Sequence, residues 1–383
     1  MMGMLMLGTL SCASNGAKIS ESDHYIIDFP STLNDQDPVK LSQYVSDIEY
    51  IPIETKEDFL VGDILRFNAS ENNFYICTKP VQDVYQLSGK GEFVKKIGTR
   101  GRAKNEYVAV RSIYSNDSSV ILEFAAKFNS YSVQTGELQY VCEPSELNIN
   151  SFISIEFLDN GSIAIIGNND KFYFADKEKN IIDSIKTFHR KAVQVKTVIP
   201  TANLVSINGS APKNPASKAV VTMASNYTPK ISKFKDEVRI LSPFMDTVLT
   251  YGKSGIRTFM TVDYGNITED QRYEPFVDGK YVLDANSMIE TQKIILFENL
   301  AGEKYIFDKE SRKTTRLAQG FTNDLEEGDP FWPMAIVGDK MYQIMSPDLF
   351  IEAASKSSSE KMKKIAASLT EESNPVIIAA TLK

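Results

Sequence analysis

Histidine is nearly absent from this chain: His24 and His189 are the only two in 383 residues. Metal sites built on imidazole, and acid–base catalysis by histidine, have almost nothing to work with. Cysteine is scarce as well. Cys12, Cys77 and Cys142 are too few for a disulfide framework and badly spaced for zinc. Beyond the N-terminus no stretch approaches the ~18 uninterrupted apolar residues of a membrane-spanning helix. No G-x-S-x-G nucleophile elbow, H-E-x-x-H zinc signature, EF-hand loop or dinucleotide fingerprint occurs. A positive surplus is missing too, since the net charge is −8. That argues against nucleic-acid partners, which are held by neutralising phosphates with Lys and Arg. It also argues against docking on anionic lipid by charge alone. No cofactor is expected.

What is present begins at the N-terminus. MMGMLMLGTLSCAS is a short apolar run ending in small residues and Cys12, and NGAKISESD after it is polar. The run is too short to span a bilayer. It resembles a bacterial lipoprotein signal, in which the bond before a cysteine is cut and that cysteine takes lipid. Two features depart from the pattern: no Lys or Arg precedes the run, and Thr9 sits where Leu is usual. The implied organisation is a signal segment over 1–12 with lipid on Cys12, a linker and first strand over 13–44, and one domain over 45–383. The lipid alone would hold the chain to the outer membrane of a bacterial envelope, facing the periplasm or the exterior.

From residue 45 onward the apolar residues recur at every second position. IEYIPIE, ILRFNAS, NNFYICT, DVYQLSG and EFVKKIG are short runs rich in β-branched and aromatic residues, each bounded by Gly, Asn, Asp, Ser or Pro. Strand follows strand without alternating helices. That excludes a doubly wound α/β fold and leaves a sandwich, a barrel or a propeller. An internal repeat decides among them. ILRFNASENNFYICTKPVQDVYQLSGKGEFVKKIG, VRSIYSNDSSVILEFAAKFNSYSVQTGELQYV, ISIEFLDNGSIAIIGNNDKFYFADKEKNIIDSI and SMIETQKIILFENLAGEKYIFDKESRKTTRLA are four copies. Each holds four short strands in about forty residues, the size of a propeller blade. The turns SGKGE, QTGE, DKEKN and DKESR fall at matching places between third and fourth strands, and several end on a residue tolerant of positive φ. One segment breaks the rhythm. Phe350, Ile351, Met362, Ile365 and Leu369 recur at helical spacing, which predicts a helical insertion over 347–372 docked on its own domain by an apolar face. NGSAPKNPASK, 208–218, reads as a loop.

A wider resemblance rests on particular runs. IEYIPIET, VGDI, NNFYI, GKGEFVKKIGTRG with NEY, SPFMDTVLTYG with TVDYGN, NDLEEGDPFWPMAIVGDKMYQI and NPVIIAATLK occur in that order over nearly the whole mature chain. Together they resemble the six-bladed β-propeller lipoproteins of Bacteroidota, distant relatives of NHL-repeat propellers. The resemblance implies an all-β fold of six four-stranded antiparallel blades, exported and lipid-anchored. It also implies that IEYIPIE pairs with PVIIAATLK to close the ring. Pro52 lacks a donor and would lie at a ladder edge. No activity is implied. The family's loop after the GEFVKKIG strand reads R-G-x-G-P-G-E-Y. Here Gly101, Glu106 and Tyr107 match, whereas Ala103, Lys104 and Asn105 depart. The loop is read as the crossing from one blade to the next, where φ-permissive residues turn the chain back toward the axis.

A Walker-type phosphate loop is excluded there, because no Lys-Ser or Lys-Thr follows and VAVRSIYS opens another strand. Lys95, Lys96, Arg100, Arg102, Lys104 and Arg111 form a basic cluster. It is either a solvated rim or an anion site for an acidic sugar or a carboxylate. Trp332, in DPFWPM, could stack on a sugar face or plug the space under its loop. Arg100, Arg102, Lys104, Tyr107 and Trp332 are the candidate binding residues. Cys77 and Cys142 read as buried free thiols. No catalytic residue is identified. Glu106, Asp246, Asp263, Glu298 and Asp329 are acids of the kind a glycosidase sets roughly 5–9.5 Å apart across a cleft, and each could equally be a turn or rim acid. The reading is a non-catalytic binding or scaffold module that takes a glycan or peptide at the channel end, where loops converge. The alternatives are a polysaccharide hydrolase or lyase using the same cleft, and a structural subunit with an envelope protein partner.

Overall fold

The computed structural model describes residues 24–33, 38–103, 105–124, 127–158, 160–167, 169, 171–186, 192–200, 218–226, 229–241, 246–268, 285–299 and 302–383. The expected six-bladed propeller is what forms. Blade 1 is built from Ile64–Ala69, Asn73–Thr78, Val84–Ser88 and Phe93–Lys96, and blade 2 from Ser112–Ser115, Ser119–Phe124, Lys127–Ser132 and Leu138–Cys142. Blade 3 is Phe152–Phe157, Ile163–Gly167, Phe172–Ala175 and Ile181–Ile185; blade 4 is Lys230–Phe234, Glu237–Leu241, Thr247–Gly252 and Gly255–Asp263. Blade 5 is Ala285–Glu290, Ile294–Asn299, Lys304–Asp308 and Lys313–Leu317. Blade 6 takes Ala335–Val337, Lys340–Met345 and Val376–Leu382 from the end of the chain and Val45–Pro52 from its beginning. The first strands of successive blades lie against one another, so they line the axis.

The second strand of a blade is buried on both faces, which is why it reads as an unbroken apolar run. In blade 3, Ile163 and Ile165 face blade 2 while Ala164 and Ile166 face blade 4. In blade 1, Tyr75 and Cys77 pack toward blade 2 while Phe74 and Ile76 pack toward blade 6. The result is six apolar seams rather than one core, each filled from two neighbouring blades. Aromatic rings fill much of this space. Tyr75, Tyr107, Tyr131, Tyr305, Phe124, Phe128, Phe172, Phe174 and Phe307 are all fully buried. Cys77 and Cys142 lie in two different seams as free thiols, and burial pushes each up to about 11.

The ring closes as expected. Val45–Pro52 runs antiparallel to Val376–Leu382, with Ile48 opposite Ala380, Tyr50 opposite Ile378 and Pro52 opposite Val376. Val45–Pro52 is the outer strand of its blade, so Pro52 withholds no needed donor. Blade 4 carries a further edge strand. Tyr25–Asp28, within the expected linker, pairs in parallel with Gly255–Asp263. The four polar turns contain the expected positive φ, at Gly91, Gly136, Lys179 and Arg312. In two of them an Asp caps the turn: Asp176 Oδ1 accepts the Asn180 N–H at 2.8 Å, and Asp308 Oδ1 accepts the Ser311 N–H at 2.7 Å.

Helices Pro347–Lys356 and Glu360–Ala366 sit between the second and third strands of blade 6. Phe350, Ala353, Ala354 and Met362 are buried against the seam between blades 5 and 6, with Ile365 and Leu369 half-buried beside them. Ser359 starts the second helix by accepting the Met362 N–H at 3.1 Å. Missing from the sequence reading is the hairpin Ala192–Pro200 with Lys218–Asn226, which lies between blades 3 and 4. The predicted loop at 208–218 falls outside the described residues except for its last position, which begins the hairpin's second strand.

Candidate functional site

Strand direction alternates within each blade, so connections of two kinds appear at the two ends of the ring. Turns from first to second strand and from third to fourth strand are short, the longest being 133–137, 158–162 and 176–180. At the other end the inner strands begin. There the crossings 53–63, 97–111, 143–151 and 318–334 are longer, the hairpin lies within the 186–229 crossing, and the helices lie within 346–375. This end gathers the variable chain around the axis, which is where propellers offer a binding surface.

The side chains at this mouth answer a specific need. An inner strand has one free edge, and its unpaired carbonyls must find donors. Arg66 Nε donates to the Arg111 carbonyl, and Arg111 Nη1 donates to the Ile153 carbonyl at 3.3 Å, so each guanidinium reaches across to the next blade's inner strand. The Tyr114 hydroxyl lies between the Ile155 carbonyl and Glu123 Oε2, the latter 3.2 Å away. Glu123 is 2% exposed and stands opposite Ser112 in the blade 2 ladder. Burial holds its carboxyl above the usual range, against the pull of Tyr114, Arg111, Ser112 and Lys230. Lys230 opens the inner strand of blade 4, so Glu123 of blade 2 feels a cation from beyond the intervening blade. Burial and the negative field of Glu123 and Glu156 push the Tyr114 hydroxyl well above its ordinary value.

The residues singled out in the sequence fare differently. Tyr107 is fully buried and its hydroxyl accepts the Val84 N–H at 3.1 Å, so its ring packs the seam between blades 1 and 2 and is closed to a ligand. Arg100 and Arg102 are exposed on the crossing, with Arg100 Nε 3.4 Å from the Val108 carbonyl. Lys104 lies outside the described residues, as do Cys12 and His189. Glu106 folds over the turn to accept the Ala103 N–H at 2.9 Å, and a Cβ at Gly101 would collide with that carboxylate. The crossing then docks on the next blade: Lys95 Nζ donates to the Val133 carbonyl at 3.1 Å, and the Gly98 N–H donates to the Gly136 carbonyl at 3.3 Å. Much of the basic cluster is thus spent on main-chain carbonyls. Trp332 is half-buried over Phe321, its main-chain N–H donates to Gln343 Oε1 at 3.1 Å, and its ring packs against the seam between blades 5 and 6. The five candidate acids are spread over the 97–111 crossing, blades 4 and 5 and the 318–334 crossing.

Sequence reasoning passed over Arg66, Lys230, Glu123 and Tyr114. A signal was available: ILR, VRS and PKI all place a basic residue where a blade's first strand begins. At the opposite end, a groove of about 1120 Å³ opens between the strap before Val45–Pro52 and the turns of blade 5. Tyr44, Lys293, Asp308, Lys309 and Lys313 line it, and the Tyr44 hydroxyl donates to Asp308 Oδ2 at 2.9 Å. Lys309 is already paired with Glu290 at 2.7 Å.

Comparison with known proteins agrees with the architecture. A protein of Bacteroides fragilis inferred to be exported is similar with a TM-score of 0.64 at 16% identity, over 94% of this chain and 99% of that one. At that identity the likeness shows the fold alone. YCF48 bound to a D1 peptide matches 66% of this chain and 65% of its own at 11% identity, with a TM-score of 0.38. Hsv2 of Kluyvelomyces marxianus matches 63% and 58% at 11% identity, with a TM-score of 0.36. No curated protein matches. Residues 24–381 match the model of a domain of unknown function, DUF4934, and the chain belongs to that family.

Proposed function

We propose that the chain is an exported, lipid-anchored propeller that binds a glycan or peptide at the mouth where its inner strands begin, without catalysis. The observation that carries this is the asymmetry of the ring: the long crossings, the hairpin and the helical insertion lie in connections that lead into that end, while the other end carries short turns and the groove beside blade 5. Export draws support from the apolar segment ahead of Cys12 and from the similar Bacteroides fragilis protein, itself inferred to be exported. The NHL-like kinship and the outer-membrane address belong to the same reading. A screen of the purified protein against glycan arrays and peptide libraries tests the binding role. A hit lost on substitution at the mouth supports it. Cleavage of the bound glycan overturns the non-catalytic part. Cys12→Ala should release the chain from the membrane fraction, and retention there would count against the lipid anchor.

A further inference from the structure

We propose that the groove beside blade 5 is a second binding site, separate from the mouth, and that it takes a neutral oligosaccharide. Its volume of about 1120 Å³ exceeds the ~300–1,000 Å³ of small-ligand pockets, which suits a short chain of sugar units. One wall is the strap over 38–44, and the other is the face and turns of blade 5. The main chain of the strap is already engaged. The Leu41 N–H donates to the Thr322 carbonyl at 2.8 Å, and the Thr322 N–H donates to the Val39 carbonyl at 2.9 Å. Asp324 accepts the Ser42 N–H at 3.0 Å, and the Tyr44 carbonyl accepts the Lys383 N–H at 2.9 Å. On the other wall, Phe29–Thr32 and Tyr25–Asp28 lie against the outer strand Lys313–Leu317, and Arg316 Nη2 donates to the Leu33 carbonyl at 3.2 Å. A peptide added as an extra strand would find few main-chain partners on either wall. Recognition falls to side chains.

Most charged side chains in the walls are answered from within. Lys309 Nζ is bonded to Glu290 at 2.7 Å and to the Thr291 carbonyl at 2.6 Å. Asp308 accepts from the Tyr44 hydroxyl at 2.9 Å and from the Ser311 N–H at 2.7 Å, and Lys313 stands opposite it in the ladder. Gln43, Gln292, Lys293 and Glu310 also line the groove, are exposed, and have no side-chain partner among the described residues. This free set is two amides, one cation and one acid, so it is balanced in charge and offers donors and acceptors alike. A ligand of either charge would be drawn by one of these groups and opposed by another. Hydroxyl groups both donate and accept, and they match the set without a net charge. Val39, Ile306 and the Tyr44 ring add apolar surface to the same groove, and the bond to Asp308 fixes the attitude of that ring. Sugar rings carry apolar C–H faces between their hydroxyl groups, and such a mixed wall suits them.

The test uses the full purified chain, with maltohexaose, cellohexaose and mannohexaose as neutral probes and hexagalacturonic acid as the charged one, and follows binding by calorimetry. At least one neutral probe should bind, and the acid should bind at least about tenfold more weakly. Gln292→Ala with Lys293→Ala, both at exposed turn positions, should weaken the neutral probe by about tenfold or more with an unchanged melting temperature. Gln43→Ala, on the facing wall, should weaken it as well. Arg111→Gln, at the mouth, should leave it unchanged. Failure of all three neutral probes, equal binding of the acid, or no effect of the Gln292 and Lys293 changes overturns the inference. Binding lost with Arg111→Gln and kept in the groove variants also overturns it, while supporting the mouth as the glycan site. A library peptide whose binding is lost in the groove variants overturns the sugar assignment.

Discussion

At the end of the ring closed by tight turns, local chemistry repeats from blade to blade. Gly91, Gly136, Lys179 and Arg312 sit in corresponding left-handed positions, and Asp176 and Asp308 brace their turns through the same oxygen. At the end where inner strands begin, the crossings differ in length and content, and the donors that reach between blades come from Arg66, Arg111 and Tyr114. The repeated end fixes the geometry of each blade by short-range hydrogen bonds and φ requirements. The varied end is free of that duty, so it can hold groups chosen for another purpose. A ring whose stability is stored in its seams and turns can vary one mouth at little cost.

Opening the ring should break both ends together. Removal of residues 374–383 deletes the third strand of blade 6, buried from Val376 to Ala380, and unpairs Val45–Pro52. Because the six seams depend on closure, the loss should exceed the ~5–15 kcal/mol that holds a typical domain together. Limited proteolysis should then find no protected core. A stable fragment spanning blades 1 to 5 would show that the seams stand alone.

A smaller change should damage the turn-closed end alone. Glu290 is 4% exposed and accepts from Arg239 Nε at 2.7 Å and from Lys309 Nζ at 2.7 Å, in the seam between blades 4 and 5. Glu290→Ala leaves Lys309 without its acid and Arg239 with Glu237 alone, and should cost roughly 3–5 kcal/mol in denaturant unfolding. Below it ranks Gly91→Ala. Gly91 has φ +83, and its Cβ would sit 2.4 Å from the Pro52 carbonyl oxygen. The backbone penalty of ~1–2 kcal/mol is thus joined by a seam clash of similar size. Gly255, at φ +77, has nothing within 4 Å of a Cβ, so Gly255→Ala should cost only the backbone term, about 1–2 kcal/mol. Equal costs at the two glycines would show that the turns carry strain but no docking.

The division between the two ends also sets what the sequence discloses. Blades were legible because an apolar run such as Ile163–Gly167 is forced on any strand buried on both faces, and because turn residues answer to φ. The closure was legible only through resemblance, since nothing local links Val45–Pro52 to Val376–Leu382 across the length of the chain. Blade 4's first two strands, KISKF and EVRIL, went unassigned: Lys233 breaks the alternation of the first, and the second is five residues long with Arg239 at its centre. Arg239 is buried there because Glu290 and Glu237 answer its charge, a pairing that spacing cannot show. The mouth was less legible still. Arg66, Arg111, Lys230 and Glu123 come from three blades, and only the ring sets them around one mouth.

Glu123 offers the sharpest contrast with Glu290, because both are buried acids and the expected effects have opposite sign. Burial raises the Glu123 carboxyl above its ordinary value, so the folded state binds that proton more tightly than the unfolded chain does. Stability therefore falls as pH rises from the ordinary carboxyl value through the folded one, and at neutral pH the ionised Glu123 is a net cost. Glu123→Gln removes the charge and keeps the shape. It should raise the melting temperature slightly at pH 7, by less than any change above, and the gain should vanish at acid pH where both side chains are neutral. Melting curves at pH 7 and pH 4 check this. If Glu123→Gln destabilises at pH 7, Arg111 and Lys230 already satisfy the acid, and the mouth is a closed ion network with nothing left over for a ligand. If it stabilises, the ionised acid is kept at a cost to folding that Tyr114, Arg111 and Lys230 only partly offset.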